Sequence, residues 1–242
     1  MATQLPLSIS VNDNISFANY LPGPNQVVYE VIQQLMSGGG ETYLYLWGSS
    51  GTGKSHVLQA ICQQATQHDQ LPGYIPLQQC VTADPDMLEG MEQLDFVCLD
   101  DIQAICGIEA WEQKVFQLFN SLNDHGIPLI ITSNVPPNEL TLTLNDLVSR
   151  LNWGGIFQLH PLNDEEKIQA LQKHAKSRGL SLPDNIAHYL TSHCSRDMHT
   201  LVEWLQKIDY ASLAMKRKIT LPFVRDLLTN LAPPLPTDRS HH

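Results

Sequence analysis

TYLYLWGSSGTGKS, residues 42–55, sets an apolar and aromatic run directly before a glycine-rich octet. The run at 42–47 reads as a β-strand, and the residues after Ser55 carry apolar positions at Val57, Leu58 and Ile61 with helical spacing. The order is therefore strand, glycine loop, helix. The octet Gly48-Ser49-Ser50-Gly51-Thr52-Gly53-Lys54-Ser55 fits the phosphate-loop pattern G-x-x-x-x-G-K-[ST] in that context. Glycines let successive backbone N–H groups turn toward phosphate oxygens, and the helix N-terminus adds positive potential. Lys54 supplies a point charge, and the Ser55 hydroxyl can ligate Mg²⁺. The candidate nucleotide contacts here are Ser50, Gly51, Thr52, Gly53, Lys54, Ser55 and His56, for ADP or ATP with Mg²⁺.

Further β-like runs lie at 73–77, 95–100 (DFVCLD) and 127–132 (IPLIIT), separated by helical stretches. One of these, residues 109–125, sets Trp111, Val115, Leu118, Phe119 and Leu122 on a single face. Short apolar strands alternating with helices predict an α/β fold, a parallel sheet flanked by helices. Beyond residue 159 the β signal ends, and four helical segments follow at about 164–178, 183–194, 197–215 and 220–228, punctuated by Pro161, Pro183 and Pro222. The expected organisation is a flexible peptide at 1–12, an α/β nucleotide-binding domain at 13–160, a small all-helical domain at 161–231 and a disordered tail at 232–242.

Two carboxylates, Asp100 and Asp101, end the DFVCLDD strand, where a parallel sheet presents residues to a ligand. In a phosphate-loop protein Asp100 would hold Mg²⁺, and Asp101 would orient or deprotonate the attacking water. Taken alone, two aspartates after a strand are usually a helix cap or a turn. Asn134 follows the next strand, so its amide would emerge at the same edge; an Asn that starts the Asn134-Val135-Pro136-Pro137 turn fits equally well. Arg150 lies among apolar neighbours at the end of a short helix. A planar, permanently charged fork there suits a transition-state phosphate, including one held by another subunit, although a solvated surface arginine is the default.

Across the 242 residues, Asp plus Glu total 25 against 14 Lys plus Arg, a formal charge of -11. That balance argues against broad nucleic-acid binding, which needs clustered cations; the densest cluster, Lys216-Arg217-Lys218, reads as a solvated helix end. No apolar run approaches the roughly 18 residues of a membrane span, and the first ten residues lack the pattern of a signal peptide, so a cytoplasmic location is expected. The five cysteines form no C-x-x-C pair and read as reduced thiols, and the ten histidines show no zinc-ligand spacing.

Together these residues resemble the AAA+ ATPases, and within them the branch formed by the bacterial initiator DnaA and its shorter Hda-type relatives. Residues 17–25 (FANYLPGPN) are similar to the segment lining the adenine pocket in that branch, which implicates Tyr20, Leu21 and Pro22. LDDIQ at 99–103 resembles its Walker B motif, and SRLNWG at 149–154 resembles the box that carries an arginine finger. The resemblance implies a helical lid in which Arg196 and His199 face the nucleotide. His199 stands where DnaA has an arginine, which implies slow hydrolysis by this chain itself. On this resemblance the DNA-binding and helicase-loading domains of DnaA are expected to be missing, and residues 75–94 are expected to hold only one short helix. Gln4-Leu5-Pro6-Leu7 resembles the peptide that docks into the DNA sliding clamp, implicating Gln4, Leu5 and Leu7.

The function implied is a nucleotide-bound regulator that works with the sliding clamp, the β subunit of DNA polymerase III. It would stimulate ATP hydrolysis by DnaA and so repress re-initiation of replication. A homodimer or higher oligomer is left open, and direct sequence-specific DNA binding is not expected. Two alternatives stand beside this reading: an autonomous ATPase of helicase-loader type, and a non-catalytic adaptor gated by nucleotide.

Overall fold

The structure, a computed structural model, describes residues 15–194 and 197–231. Gln4, Leu5, Leu7, Arg196 and the tail from residue 232 lie outside the described residues. Two compact units divide between Asn163 and Asp164.

The first unit is built on five parallel strands: β1 (Tyr43–Trp47), β2 (Pro72–Pro76), β3 (Phe96–Asp100), β4 (Leu129–Ser133) and β5 (Gly155–Gln158), in the spatial order β2-β3-β4-β1-β5. Helices α1 (Gln26–Met36), α2 (Lys54–Gln67), the one-turn α3 (Leu77–Cys80), α4 (Glu109–His125) and α5 (Asn145–Leu151) complete it. The two-residue period of the strands feeds two separate cores. Tyr43, Tyr45, Val97, Leu99 and Ile131 pack with Trp111, Val115, Phe119 and Leu122 of α4. Leu44, Leu46, Cys98 and Ile130 pack on the opposite face with Val57, Leu58 and Ile61 of α2 and with Ile32 and Leu35 of α1. A sheet covered on both faces needs near-continuous apolar strands, which is how β1, β3 and β4 read.

The strand order sets which loops share an edge of the sheet. β4 lies between β1 and β3, with Trp47 beside Ser133 and Leu99 beside Ile131. The segments leaving β1, β3 and β4 therefore share one carboxyl edge. The fifth strand escapes the sequence reading because GIFQ is four residues long, begins with glycine and alternates between half-buried and exposed. Between β2 and β3 the chain forms α3 and two 3-10 turns, Pro85–Leu88 and Met91–Gln93.

The entry to α5 is fixed by a charge. Leu144 offers no side-chain cap, and instead Glu112, 0% exposed on α4, accepts from Thr143 N (2.9 Å), Thr143 Oγ1 (2.7 Å) and Leu144 N (2.8 Å) with one oxygen. Its other oxygen accepts from Gly107 N at 2.7 Å. Burial pushes this carboxyl up, but the four donated bonds outweigh burial and hold it below the ordinary carboxylate range. Glu112→Gln sets an amide NH₂ against these donors. We expect a loss of about 2–3 kcal/mol, a Tm lower by roughly 5–10 °C in differential scanning calorimetry. Because the folded carboxyl ionises below its unfolded value, near 4.3, its stabilisation is present above that value and is lost as pH falls through the lowered one. The gap between wild type and Glu112→Gln should accordingly shrink in acid; a constant gap from pH 7 to pH 3 would contradict the ionised state of Glu112.

The second unit packs α6 (Asp164–Ser177), α7 (Asp184–His193), α8 (Met198–Met215) and α9 (Leu221–Leu231) around Leu171, Ile186, Leu190, Leu201, Leu205, Ile208 and Val224. Asp197 caps α8 by accepting from Thr200 N at 3.3 Å. No helix among the described residues is long and apolar enough to cross a membrane.

Candidate nucleotide site

Backbone geometry in residues 48–55 demands the glycines found there. Gly51 and Gly53 have φ of 78° and 91°, in the left-handed region that favours glycine. At Gly48 a Cβ would meet the Leu159 carbonyl oxygen at 2.5 Å. No side chain caps the N-terminus of α2, which leaves its dipole facing the loop. Thr52 is buried and closes the turn by donating to Ser49 O at 2.9 Å, while Ser50 is exposed and Ser55 is half-buried.

Lys54, only 8% exposed, donates to Gly48 O at 2.7 Å and to Ser49 O at 3.0 Å. Burial lowers its pKa, and the carboxylates of Asp101 and Asp100 push it back up. The ammonium thus lies inside the loop, within the field of the acidic pair.

Asp100, 3% exposed at the end of β3, has both oxygens engaged: Oδ1 accepts from the Thr132 hydroxyl, and Oδ2 accepts from the Tyr74 phenol at 2.7 Å. Burial foremost, and the Asp100 charge next, raise the Tyr74 pKa far above its usual value, so the phenol is the donor. Asp101 takes the left-handed conformation, φ 60° and ψ 57°, unusual for a side chain other than glycine. Its N–H donates to Thr132 Oγ1 at 3.0 Å, and Gln103 Nε2 donates to its Oδ1 at 2.9 Å. Gln103 Oε1 in turn accepts from the Asn134 N–H at 3.2 Å, so the ends of β3 and β4 are joined through one amide. Asn134 itself is exposed.

Tyr20 packs against the far end of the loop, where a Cβ on Gly53 would lie 3.5 Å from its ring. It stacks on Tyr29 with centroids 6.1 Å apart, meets Phe17 edge-on, and lies 5.4 Å from the His56 ring. Burial pushes the Tyr20 phenol up to about 12 and lowers the His56 pKa, although the Ser16 carbonyl, 3.2 Å from His56 Nε2, opposes the latter. Leu21 and Pro22 are half-buried beside them. Asn25, 3% exposed, exchanges two bonds with the His160 backbone, accepting from N at 2.7 Å and donating to O at 2.9 Å, which ties this segment to the end of β5. The uncapped helix start, the positive-φ glycines and Lys54 fit a polyphosphate, and Ser55 with Asp100 fits its Mg²⁺.

Arg150 occupies the last turn of α5, which Leu147 and Leu151, both 0% exposed, and the bond from Tyr43 Oη to Leu151 O (3.1 Å) fasten to the unit. Its guanidinium lies 4.1 Å over the centroid of half-exposed Trp153. In the second unit His199 is exposed and pairs with Glu203, 3.1 Å away.

Tyr74, Thr132 and Gln103 are the contributors that motif reading passes over. Thr132 does leave a trace, as a polar residue inside the apolar strand IPLIITSN, and Gln103 falls at the end of LDDIQ without its bonds being readable there; Tyr74 leaves none, because its partner is 26 positions distant.

This parallel sheet with its phosphate loop and acidic strand end, followed by a separate four-helix unit, defines an AAA+ nucleotide-binding fold. Residues 81–158 match the bacterial DnaA ATPase domain family, and residues 164–228 match the Hda lid domain family. The chain is an AAA+ protein related to DnaA and Hda. Among solved structures, domain III of Thermotoga maritima DnaA superposes with a TM-score of 0.77 at 23% identity, over 92% of this chain and 99% of that one. AMPPCP-bound DnaA from Aquifex aeolicus gives 0.68 at 23%, over 91% and 72%. The Thermotoga maritima RuvB branch-migration motor gives 0.65 at 15%, over 91% and 74%.

Proposed function

We propose that this chain is an adenine-nucleotide-binding regulator that activates ATP hydrolysis by DnaA. In this reading the phosphate loop, Lys54, Ser55 and the Tyr20 cluster hold ADP or ATP. When bound, Mg²⁺ supplies charge neutralisation at the phosphates, with Ser55 and Asp100 as its protein partners. Residues Gln4, Leu5 and Leu7 dock on the DNA-loaded sliding clamp, and Arg150 is offered to ATP held by a neighbouring DnaA. Hydrolysis there converts the initiator to its inactive ADP form and limits re-initiation. Arg196 and His199 of the lid are assigned to the nucleotide of this chain, and Asp101 and Asn134 to the water beside it.

The observation that carries this reading is the presentation of Arg150. A helix end rigidly packed at Leu147 and Leu151 bears a guanidinium stacked on an aromatic ring rather than paired with a carboxylate among the described residues. A fork held this way keeps its donors for an external phosphate. The adenine assignment draws support from the AMPPCP-bound relative. The test is ATP hydrolysis by purified DnaA with DNA-loaded clamp and ADP, with and without this protein. Stimulation that requires the clamp and residues 4–7 is expected; absence of stimulation would overturn the regulator reading.

One set of contacts favours a second reading, an autonomous ATPase. Asp101 is oriented by Gln103 and linked through it to Asn134, an arrangement suited to holding a lytic water. Turnover by the purified chain that is lost in Lys54→Ala, without any effect on DnaA, would select this alternative.

A further inference from the structure

The carboxylate of Asp100 lies almost out of solvent, so its oxygens need hydrogen-bond partners and these set its direction. Two hydroxyls do so, one on each oxygen. Thr132 comes from the neighbouring strand β4, while Tyr74 comes from the edge strand β2, where it pairs in register with Cys98, two residues before Asp100 on β3. The Tyr74 oxygen is itself engaged by Gln59 of α2, whose Nε2 donates to it at 3.3 Å. That contact occupies a lone pair and leaves the phenolic proton for Asp100. The half-buried ring packs against the core that contains Val57, Leu58 and Ile61 of α2, which holds the donor in place.

We propose that Tyr74 is a positioning residue for Mg²⁺ uptake: its phenol, with the Thr132 hydroxyl, holds the Asp100 carboxylate in the orientation that receives the metal. The inference rests on the nucleotide-binding part of the proposed function, and not on the action toward DnaA. An ionised carboxylate has about four lone-pair positions, so two hydroxyl donors leave room for a metal-bound water or the ion itself. Without the phenol, Oδ2 would be a buried carboxylate oxygen without its donor, and the side chain would be held by Thr132 alone on its other oxygen. A carboxylate free to rotate about its side chain would present its acceptor to the metal less often. Hydrogen-bond partners behind a metal-binding side chain commonly change affinity by 10–100-fold when removed.

Tyr74→Phe keeps the ring and deletes only the donor. The experiment titrates Mg²⁺ into the full chain with a fluorescent adenine nucleotide, and measures nucleotide affinity in EDTA in parallel. A Mg²⁺ half-saturation raised about tenfold is expected, with affinity in EDTA unchanged within twofold. A purely structural contribution would instead weaken both conditions together. An unchanged or lower Mg²⁺ requirement in Tyr74→Phe would overturn the inference while leaving nucleotide binding in place. If wild type bound no nucleotide in either condition, the nucleotide reading itself would fall, and this inference with it.

Discussion

Arg150→Ala is expected to abolish stimulation of DnaA ATP hydrolysis, with a loss of at least about 10³-fold, while nucleotide binding and clamp binding by this chain stay within twofold of wild type. Arginine fingers donated between phosphate-loop subunits are worth about 10³–10⁵ in rate, equivalent to roughly 4–7 kcal/mol of transition-state stabilisation. The structure explains why the loss should be confined to the partner. Arg150 projects from the end of α5, where Leu147 and Leu151, not the arginine, make the buried contacts. Its stacking contact with Trp153 involves a ring that is half-exposed, so truncation leaves no cavity in either core. Arg150→Lys should restore little, because an ammonium lacks the planar fork that matches phosphate oxygens and stacks on an aromatic face. Stimulation retained in Arg150→Ala would remove this residue from the role and shift the assignment to another cation.

Lys54→Ala should weaken adenine nucleotide binding by about 3 kcal/mol, roughly a hundredfold in Kd by isothermal titration calorimetry. The ammonium is buried and already bonded to the carbonyls of Gly48 and Ser49, so it sits preorganised at the mouth of the loop. Two effects combine in the variant. The phosphates lose a charge-assisted donor, and the loop loses the brace that draws its two carbonyls together. The nearby carboxylates of Asp100 and Asp101 would then face phosphate without the lysine charge that offsets them, which adds repulsion. The thermal stabilisation that saturating nucleotide gives to wild type should disappear in parallel. A Kd within threefold of wild type would place the phosphates away from this loop.

Much of the first unit is legible in the sequence alone. Residues 48–55 declare a strand, loop and helix because the glycines, the lysine and the serine are constrained by local backbone geometry, and local geometry is written in adjacent residues. The helix at 109–125 was equally plain, since five apolar side chains on one face have no other economical burial. The fifth strand was not, because four residues with a leading glycine carry too little period to separate strand from loop. Glu112 was invisible for a different reason: a charged residue on a helix reads as solvated, and only the approach of residues 143–144 supplies the donors that make its burial tolerable.

By itself, then, the sequence determined the phosphate loop, the acidic strand end, the alternation of strands and helices and the change to an all-helical second unit. These are consequences of short-range spacing and of which side chains water rejects. Only the tertiary structure decided that β4 separates β1 from β3, that Asp100 is gripped from two strands by Thr132 and Tyr74, that Gln103 joins Asp101 to Asn134, and that Arg150 rests on Trp153. Strand order and hydroxyl pairing depend on contacts between residues tens of positions apart, and such contacts are selected by the packing of whole faces rather than by any local pattern.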